Sequence, residues 1–142
     1  MHWLTLVPAI LMSIGPAPRP AADELAEIQF RVTGLRSEKG IVQCALFSKR
    51  GWLRSPKRVA KAWPRGGEAT CRFKAALPGH YVASGFHDEN GDDQLDRGTF
   101  GLPTEGVAIS RNPSTTFGPP DFEDAQFKYL GGPLRLKAKM RY

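Results

Sequence analysis

The stretch Glu27-Ile-Gln-Phe-Arg-Val-Thr-Gly34 alternates strictly between apolar and polar residues. Successive side chains of a β-strand point to opposite faces of its sheet, so this period of two predicts a strand with one face on a core. A polar turn follows, and Ile41-Val-Gln-Cys-Ala-Leu-Phe47 then alternates in the same way. We expect the two stretches to form an antiparallel hairpin.

Similar short stretches occur along the rest of the chain, at 69–74, 81–87, 100–103, 107–110 and 134–140. The chain of 142 residues contains 15 Gly and 12 Pro, which favours short strands and frequent turns over long helices. About seven strands in one domain of this length predict an all-β protein, a small antiparallel β-sandwich of the prealbumin-like or immunoglobulin-like kind.

The period of two is lost after Phe47. Ser55 can cap a helix that has Pro56 in its first position, and Val59 and Trp63 are four residues apart. We therefore predict one or two helical turns over 55–63, with Trp63 in the core. A second helical turn is expected to begin near Asp121.

Residues 1–14 are mostly apolar and give way to a Pro- and Ala-rich stretch at 15–22. The apolar run is too short to span a bilayer and has the length of a signal-peptide core. We predict a signal peptide at 1–22, a β-sandwich domain at 23–142, no transmembrane span, and a periplasmic or secreted protein. A disordered tail or a retained apolar anchor is the alternative.

Cys44 and Cys71 both fall on the predicted inner faces of strands. Since an oxidising compartment allows thiols to pair, we expect a disulfide between them. Two buried free thiols that pack as small hydrophobic residues are the alternative.

The charges are unevenly distributed along the chain, whose formal net charge is +6. Seven basic residues and no acidic ones lie between positions 49 and 65, together with two Trp residues. Such a stretch can bind an anionic polymer of the cell envelope, and its candidate patch is Trp52, Arg54, Lys57 and Arg58. The simpler interpretation of these residues is a solvated basic face. We expect no nucleic-acid partner.

The most informative segment is the acidic loop Asp88-Glu-Asn-Gly-Asp-Asp-Gln-Leu-Asp96. Calcium takes six to eight oxygen ligands, and a loop with oxygen-bearing side chains at alternate positions can surround one ion. The candidate ligands at the first, third, fifth, seventh and ninth positions are Asp88, Asn90, Asp92, Gln94 (through its backbone carbonyl) and Asp96.

Two positions depart from the calcium-loop pattern. Asp93 stands at the sixth position in place of Gly, and Thr99 stands at the twelfth in place of Glu. A further carboxylate must therefore come from elsewhere, and the candidates are Glu105, Glu123 and Asp124. The alternative is a solvated turn at Asn90-Gly91 without an ion. Magnesium retains more of its water, and zinc prefers His or Cys, so calcium is the predicted cofactor.

His87 next to Asp88 supports an alternative function, a metal-dependent enzyme that acts on envelope material. No Ser/His/Asp arrangement or phosphate-binding Gly loop accompanies this pair. We therefore favour a non-catalytic binding or structural module whose partner is an anionic envelope polymer or another envelope protein.

Several motifs occur in a characteristic order: Leu77-Pro-Gly-His-Tyr81, His87-Asp-Glu-Asn-Gly-Asp92, Phe100-Gly-Leu-Pro-Thr-Glu-Gly106 and Gly118-Pro-Pro-Asp-Phe-Glu-Asp-Ala125. Over residues 28–142 the chain resembles the bacterial exported proteins of domain of unknown function 2141. That resemblance implies export and a small β-rich domain, and it leaves the function open. The Leu-Pro-Gly-x-Tyr turn before an Asp-x-Asn-x-Asp loop is also similar to prealbumin-like sandwiches of bacterial adhesins and carboxypeptidase regulatory domains, whose loops hold calcium.

Overall fold

The computed structural model describes residues 10, 12–16, 26–97 and 103–142. In these parts of the chain the strands are β1 (Ile28–Thr33), β2 (Ile41–Phe47), β3 (Arg58–Ala62), β4 (Ala69–Phe73), β5 (Gly79–Asp88), β6 (Val107–Ile109), β7 (Phe127–Tyr129) and β8 (Leu134–Lys139). One short helix, α1 (Phe122–Ala125), precedes β7.

The strands form two sheets. The first sheet has the order β4-β1-β8, and the second has the order β3-β2-β5-β6, with β7 paired to the beginning of β5. All pairs between these strands are antiparallel except β1 with β8. The buried alternate residues of both sheets, among them Phe30 and Leu46, form one core. The predicted all-β sandwich is therefore confirmed.

The predicted hairpin of β1 and β2 is wrong. β1 pairs with β4 and β8, whereas β2 pairs with β3 and β5, so residues 34–40 cross from one sheet to the other. Gly40 lies close to the end of β5 in this crossing. A Cβ at Gly40 would be only 1.9 Å from the carbonyl oxygen of Asp88. Alternation identifies the buried face of a strand, and it does not identify the partner of that strand.

The predicted helix over 55–63 is also wrong, because this segment contains β3. Residues 58–62 pair with the edge of β2, and only Ala62 of this strand is buried. Val59 is 72% and Trp63 74% exposed, so Trp63 is not a core residue. The open edge of β2 therefore overrides the local helical pattern. The helical turn near Asp121 is confirmed as α1, which buries Phe122 and Ala125 against Val82.

The two cysteines link the sheets. The Sγ atoms of Cys44 on β2 and Cys71 on β4 are 2.06 Å apart, which is a bonded distance, so the predicted disulfide is present.

Most of the predicted leader at 1–22, and most of the strand predicted at 100–103, lie outside the described residues. Within the residues described, no helix is long and apolar enough to cross a membrane.

Candidate metal centre

The acidic loop begins on the outer face of the second sheet. Directly paired residues of neighbouring strands share a face, and Asp88 at the end of β5 is paired with Ile41, whereas His87 is paired with the buried Val42. Asp88 and His87 therefore point to opposite faces of β5.

The Asp88 carboxylate is fully buried and is held by three N–H donors. Its Oδ1 accepts the backbone N–H of Asp92 at 3.2 Å, and its Oδ2 accepts the backbone N–H of Asp93 at 2.9 Å. The Nε2 of Gln43 on β2 donates to the same Oδ2 at 3.0 Å. These contacts fix the carboxylate and draw the loop back over it.

The backbone of the loop accommodates the unusual sixth residue. Asp93 has φ 60°, in the left-handed region that Gly occupies easily and that Asp tolerates better than most residues. Its side chain points away to Gln43 and Lys61, whose nitrogens lie 2.7 and 3.4 Å from Oδ1. Asp93 therefore adopts the backbone conformation that Gly has at the sixth position of a calcium loop.

Glu105 approaches the loop from the other side. An isolated antiparallel bridge pairs Arg97 with Pro103. Next to it, the backbone N–H of Thr104 donates to the carbonyl of Asp96 at 2.8 Å. Glu105 is 6% exposed, and its Oε2 accepts the backbone N–H of Asp96 at 3.4 Å.

Asp88, Asp92 and Glu105 form a cluster in which one carboxylate oxygen of each residue lies within 4.8 Å of the others. We call it the carboxylate triad. Oxygen donors of this kind suit calcium or magnesium better than zinc or copper, which favour His and Cys.

The other predicted ligands lie around the triad in different ways. The amide of Asn90 donates to Oδ2 of Asp96 at 2.6 Å, and the backbone N–H of Gln94 donates to Oδ1 of Asp92 at 2.9 Å. Glu123 is instead paired with Lys49 at 2.7 Å, and Asp124 is exposed on α1. The structure thus brings Glu105 to the loop and does not bring Glu123 into the triad.

The three carboxylates repel one another unless a cation or a proton neutralises them. Burial raises the pKa of Glu105, and the charges of Asp96, Asp88 and Asp92 act in the same direction. Because this pKa is higher in the folded state, the protonated form favours folding at low pH, and the contribution is lost as pH rises through the folded pKa. The N–H group of Gln94 lowers the pKa of the exposed Asp92.

Glu89 belongs to the loop but not to the triad. Arg36 and the hydroxyl of Ser37 both donate to its carboxylate, and the hydrogen bond from Arg36 lowers its pKa. The negative charge that needs a partner is therefore concentrated at the triad and at Asp96.

His87 is fully buried between the sheets, and both of its ring nitrogens have partners. Nδ1 lies 2.7 Å from the hydroxyl of Tyr142, and Nε2 lies 2.7 Å from the carbonyl oxygen of Lys39. The structure does not bring His87 together with Asp88 as a catalytic pair. No sequence pattern predicts that Tyr142 and Lys39 contact His87.

The predicted anionic-ligand patch is divided. Trp52 packs edge-on against Phe47 and donates from Nε1 to the carbonyl of Pro120 at 3.0 Å. Arg58 donates to the carbonyls of Lys74 and Ala75, which follow β4. Arg54 and Lys57 are exposed. The side chains of Trp52 and Arg58 thus make hydrogen bonds within the protein.

A cleft of about 360 Å³ lies beside the triad on the outer face of the second sheet. Glu105 belongs both to the triad and to the lining of this cleft, which is mainly apolar and includes Phe86, Leu95 and Val107. The loop thus borders a concave surface as well as solvent.

These features define a small all-β sandwich with a carboxylate cluster on the outer face of one sheet. The chain belongs to the family described as "Uncharacterized protein conserved in bacteria (DUF2141)", which matches residues 30–136. No curated protein and no solved structure matches the chain. The similarity to prealbumin-like sandwiches therefore remains a prediction.

Proposed function

We propose that this protein is an exported, non-catalytic module of the cell envelope that binds one calcium ion at its 88–105 segment. The observation that carries the proposal is the carboxylate triad, in which two of three neighbouring acidic residues are buried. The ion orders the acidic loop at 88–96 and stabilises the folded state, because a ligand that binds only the folded state adds to its stability.

The arrangement around the triad supports this proposal. Asp88 is already oriented by three donors, so an ion meets a fixed carboxylate at the first position of the loop. Asp92 and Glu105 supply the second and third carboxylates. We infer that Asn90, Asp96 and the backbone carbonyl of Gln94 supply the remaining oxygens of a set of six or more.

Export is the second part of the proposal. We infer that residues 1–22 are a cleaved signal peptide and that residues 23–142 are the mature domain. The disulfide between Cys44 and Cys71 supports an oxidising compartment such as the periplasm or the exterior.

Calcium is expected to raise the melting temperature of the mature domain by about 10 °C at a hundredfold excess over Kd, which corresponds to about 2.7 kcal/mol. Differential scanning calorimetry in calcium, in magnesium and in a chelator measures this shift. Magnesium is expected to give a smaller shift, because it holds its water more firmly.

A matched pair of variants locates the ion. Asp92→Asn and Asp93→Asn remove the same charge from neighbouring exposed positions, but only Asp92 belongs to the triad. We expect Asp92→Asn to abolish most of the calcium-dependent shift and Asp93→Asn to retain it. Equal shifts in both variants would place any ion outside the triad.

A further inference from the structure

The outer face of the first sheet is strongly basic. In β8, Arg135, Lys137 and Lys139 alternate with residues that face the core, and all three are exposed. The parallel register pairs Lys137 with Arg31 of β1, so both side chains emerge on the same face. With the exposed side chains of β4 and the residue after it, the cations of this basic sheet face are Arg31, Arg72, Lys74, Arg135, Lys137 and Lys139.

Only part of this charge is neutralised within the sheet. Glu68 accepts two hydrogen bonds from Arg31, at 2.9 and 2.7 Å, and Glu27 accepts one from Arg72 at 2.7 Å. In the part of the chain that the structure describes, no carboxylate lies within ion-pair distance of the three β8 cations. Two carboxylates thus pair with two of the six cations on this face, and the positive charge of the β8 row is not neutralised.

The geometry of a three-stranded sheet spreads these cations over one twisted face. Residues on one face of a strand are about 6.6 Å apart and neighbouring strands about 4.8 Å apart, so the β8 row spans about 13 Å beside the cations of β1 and β4. The uncharged outward residues between them are Gln29, Thr33 and Thr70. Because no aromatic or large aliphatic side chain projects from these positions, the face suits contact with a charged surface rather than insertion into an apolar one.

The acidic loop lies on the opposite side of the molecule. It begins on the outer face of the second sheet, and the two sheets of a sandwich pack about 10 Å apart with their inner faces together. The protein is therefore polarised, with a basic face on one side and the carboxylate triad on the other. A planar negative surface would attract the basic sheet face and repel the triad, which gives a single preferred orientation.

We propose that the basic sheet face binds the surface of an anionic phospholipid bilayer, with the acidic loop turned away from it. An array of cations on one face of the protein can contact many phosphate headgroups at once, and each Lys or Arg near such a surface strengthens binding by about fivefold. This attraction is electrostatic and acts within a Debye length, so it weakens as salt is added. The proposal does not depend on calcium.

Vesicle co-sedimentation of the mature domain tests this proposal, with a chelator present so that calcium cannot bridge carboxylates and lipids. The probes are vesicles of phosphatidylcholine alone and vesicles with about 30% phosphatidylglycerol. We expect binding only to the anionic vesicles, and its loss between about 0.05 M and about 0.5 M salt. Absence of binding at low salt would overturn the proposal.

Two triple variants separate this face from net charge alone. Arg135→Gln/Lys137→Gln/Lys139→Gln empties the β8 row, and Arg50→Gln/Arg54→Gln/Lys57→Gln removes the same charge from exposed positions elsewhere. We expect the first to weaken vesicle binding on the order of a hundredfold and the second by less than about fivefold. Equal losses, or a greater loss in the second variant, would refute the assignment. Melting curves verify that both variants are folded.

A soluble anionic polymer distinguishes the second class of partner. We expect dextran sulfate to compete with vesicles only weakly, because a linear chain contacts fewer of the cations on this face at once. If the protein binds dextran sulfate through the β8 row and leaves phosphatidylglycerol vesicles unbound, the partner is a polymer and the lipid proposal is wrong.

Discussion

Asp88→Ala is expected to lower the free energy of unfolding by about 1 to 3 kcal/mol even in a chelator. Asp88 is fully buried, and its loss leaves the backbone N–H of Asp93 without its acceptor. The backbone N–H of Asp92 and the amide of Gln43 each lose one of two acceptors. A buried donor without an acceptor costs about 1 to 3 kcal/mol. Urea-induced unfolding, followed by circular dichroism, measures this change.

Asp92→Ala is the control for that measurement, because Asp92 is exposed and its removal leaves no buried donor without an acceptor. We expect Asp92→Ala to change stability in the chelator by less than about 1 kcal/mol, while both variants lose stabilisation by calcium. If Asp88→Ala is as mild as Asp92→Ala without calcium, Asp88 does not organise the loop.

Removal of the disulfide is expected to lower the free energy of unfolding by about 3.5 kcal/mol, from the chain entropy of a loop of this size. Cys44 and Cys71 are 27 positions apart in the sequence and join strands of different sheets, so their bond restricts the conformations of the unfolded chain. The double variant Cys44→Ala/Cys71→Ala, compared with the native protein in urea, measures the loss.

Reductant supplies an internal control for this prediction. It should destabilise the native protein to a similar extent and leave the double variant unchanged. If thiol titration shows that the bond is fully reduced and the urea midpoint does not move, the cross-link contributes little to stability.

The buried faces of the strands could be predicted from local patterns, since alternation alone places Phe30, Leu46 and both cysteines in the core. Strand partners could not be predicted in this way. The β1–β2 turn is compatible with a hairpin, but the chain crosses between sheets because β1 pairs with two distant strands. The helical pattern around Val59 fails for the same reason, because an open sheet edge offers backbone hydrogen bonds that a short helix cannot match.

The triad shows the same division between local and distant information. Asp88 and Asp92 could be predicted from their spacing, and the lack of a twelfth-position carboxylate indicates that another residue is needed. The choice of Glu105 over Glu123 depends on the Arg97–Pro103 bridge and on the Lys49–Glu123 ion pair, which no local pattern specifies. Gln43 was missed as an Asp88 partner, because its position depends on the β2–β5 register.

Isothermal titration of calcium into the chelator-free protein tests the central claim most directly. The account predicts one ion per chain, with Kd near the 10⁻⁴ to 10⁻³ M that is typical of extracellular modules. Affinity should fall as pH is lowered through the raised pKa of Glu105, and it should be at least tenfold weaker in Glu105→Gln. A titration without saturable binding up to about 10 mM calcium, or binding that is unchanged in Glu105→Gln, would contradict the account.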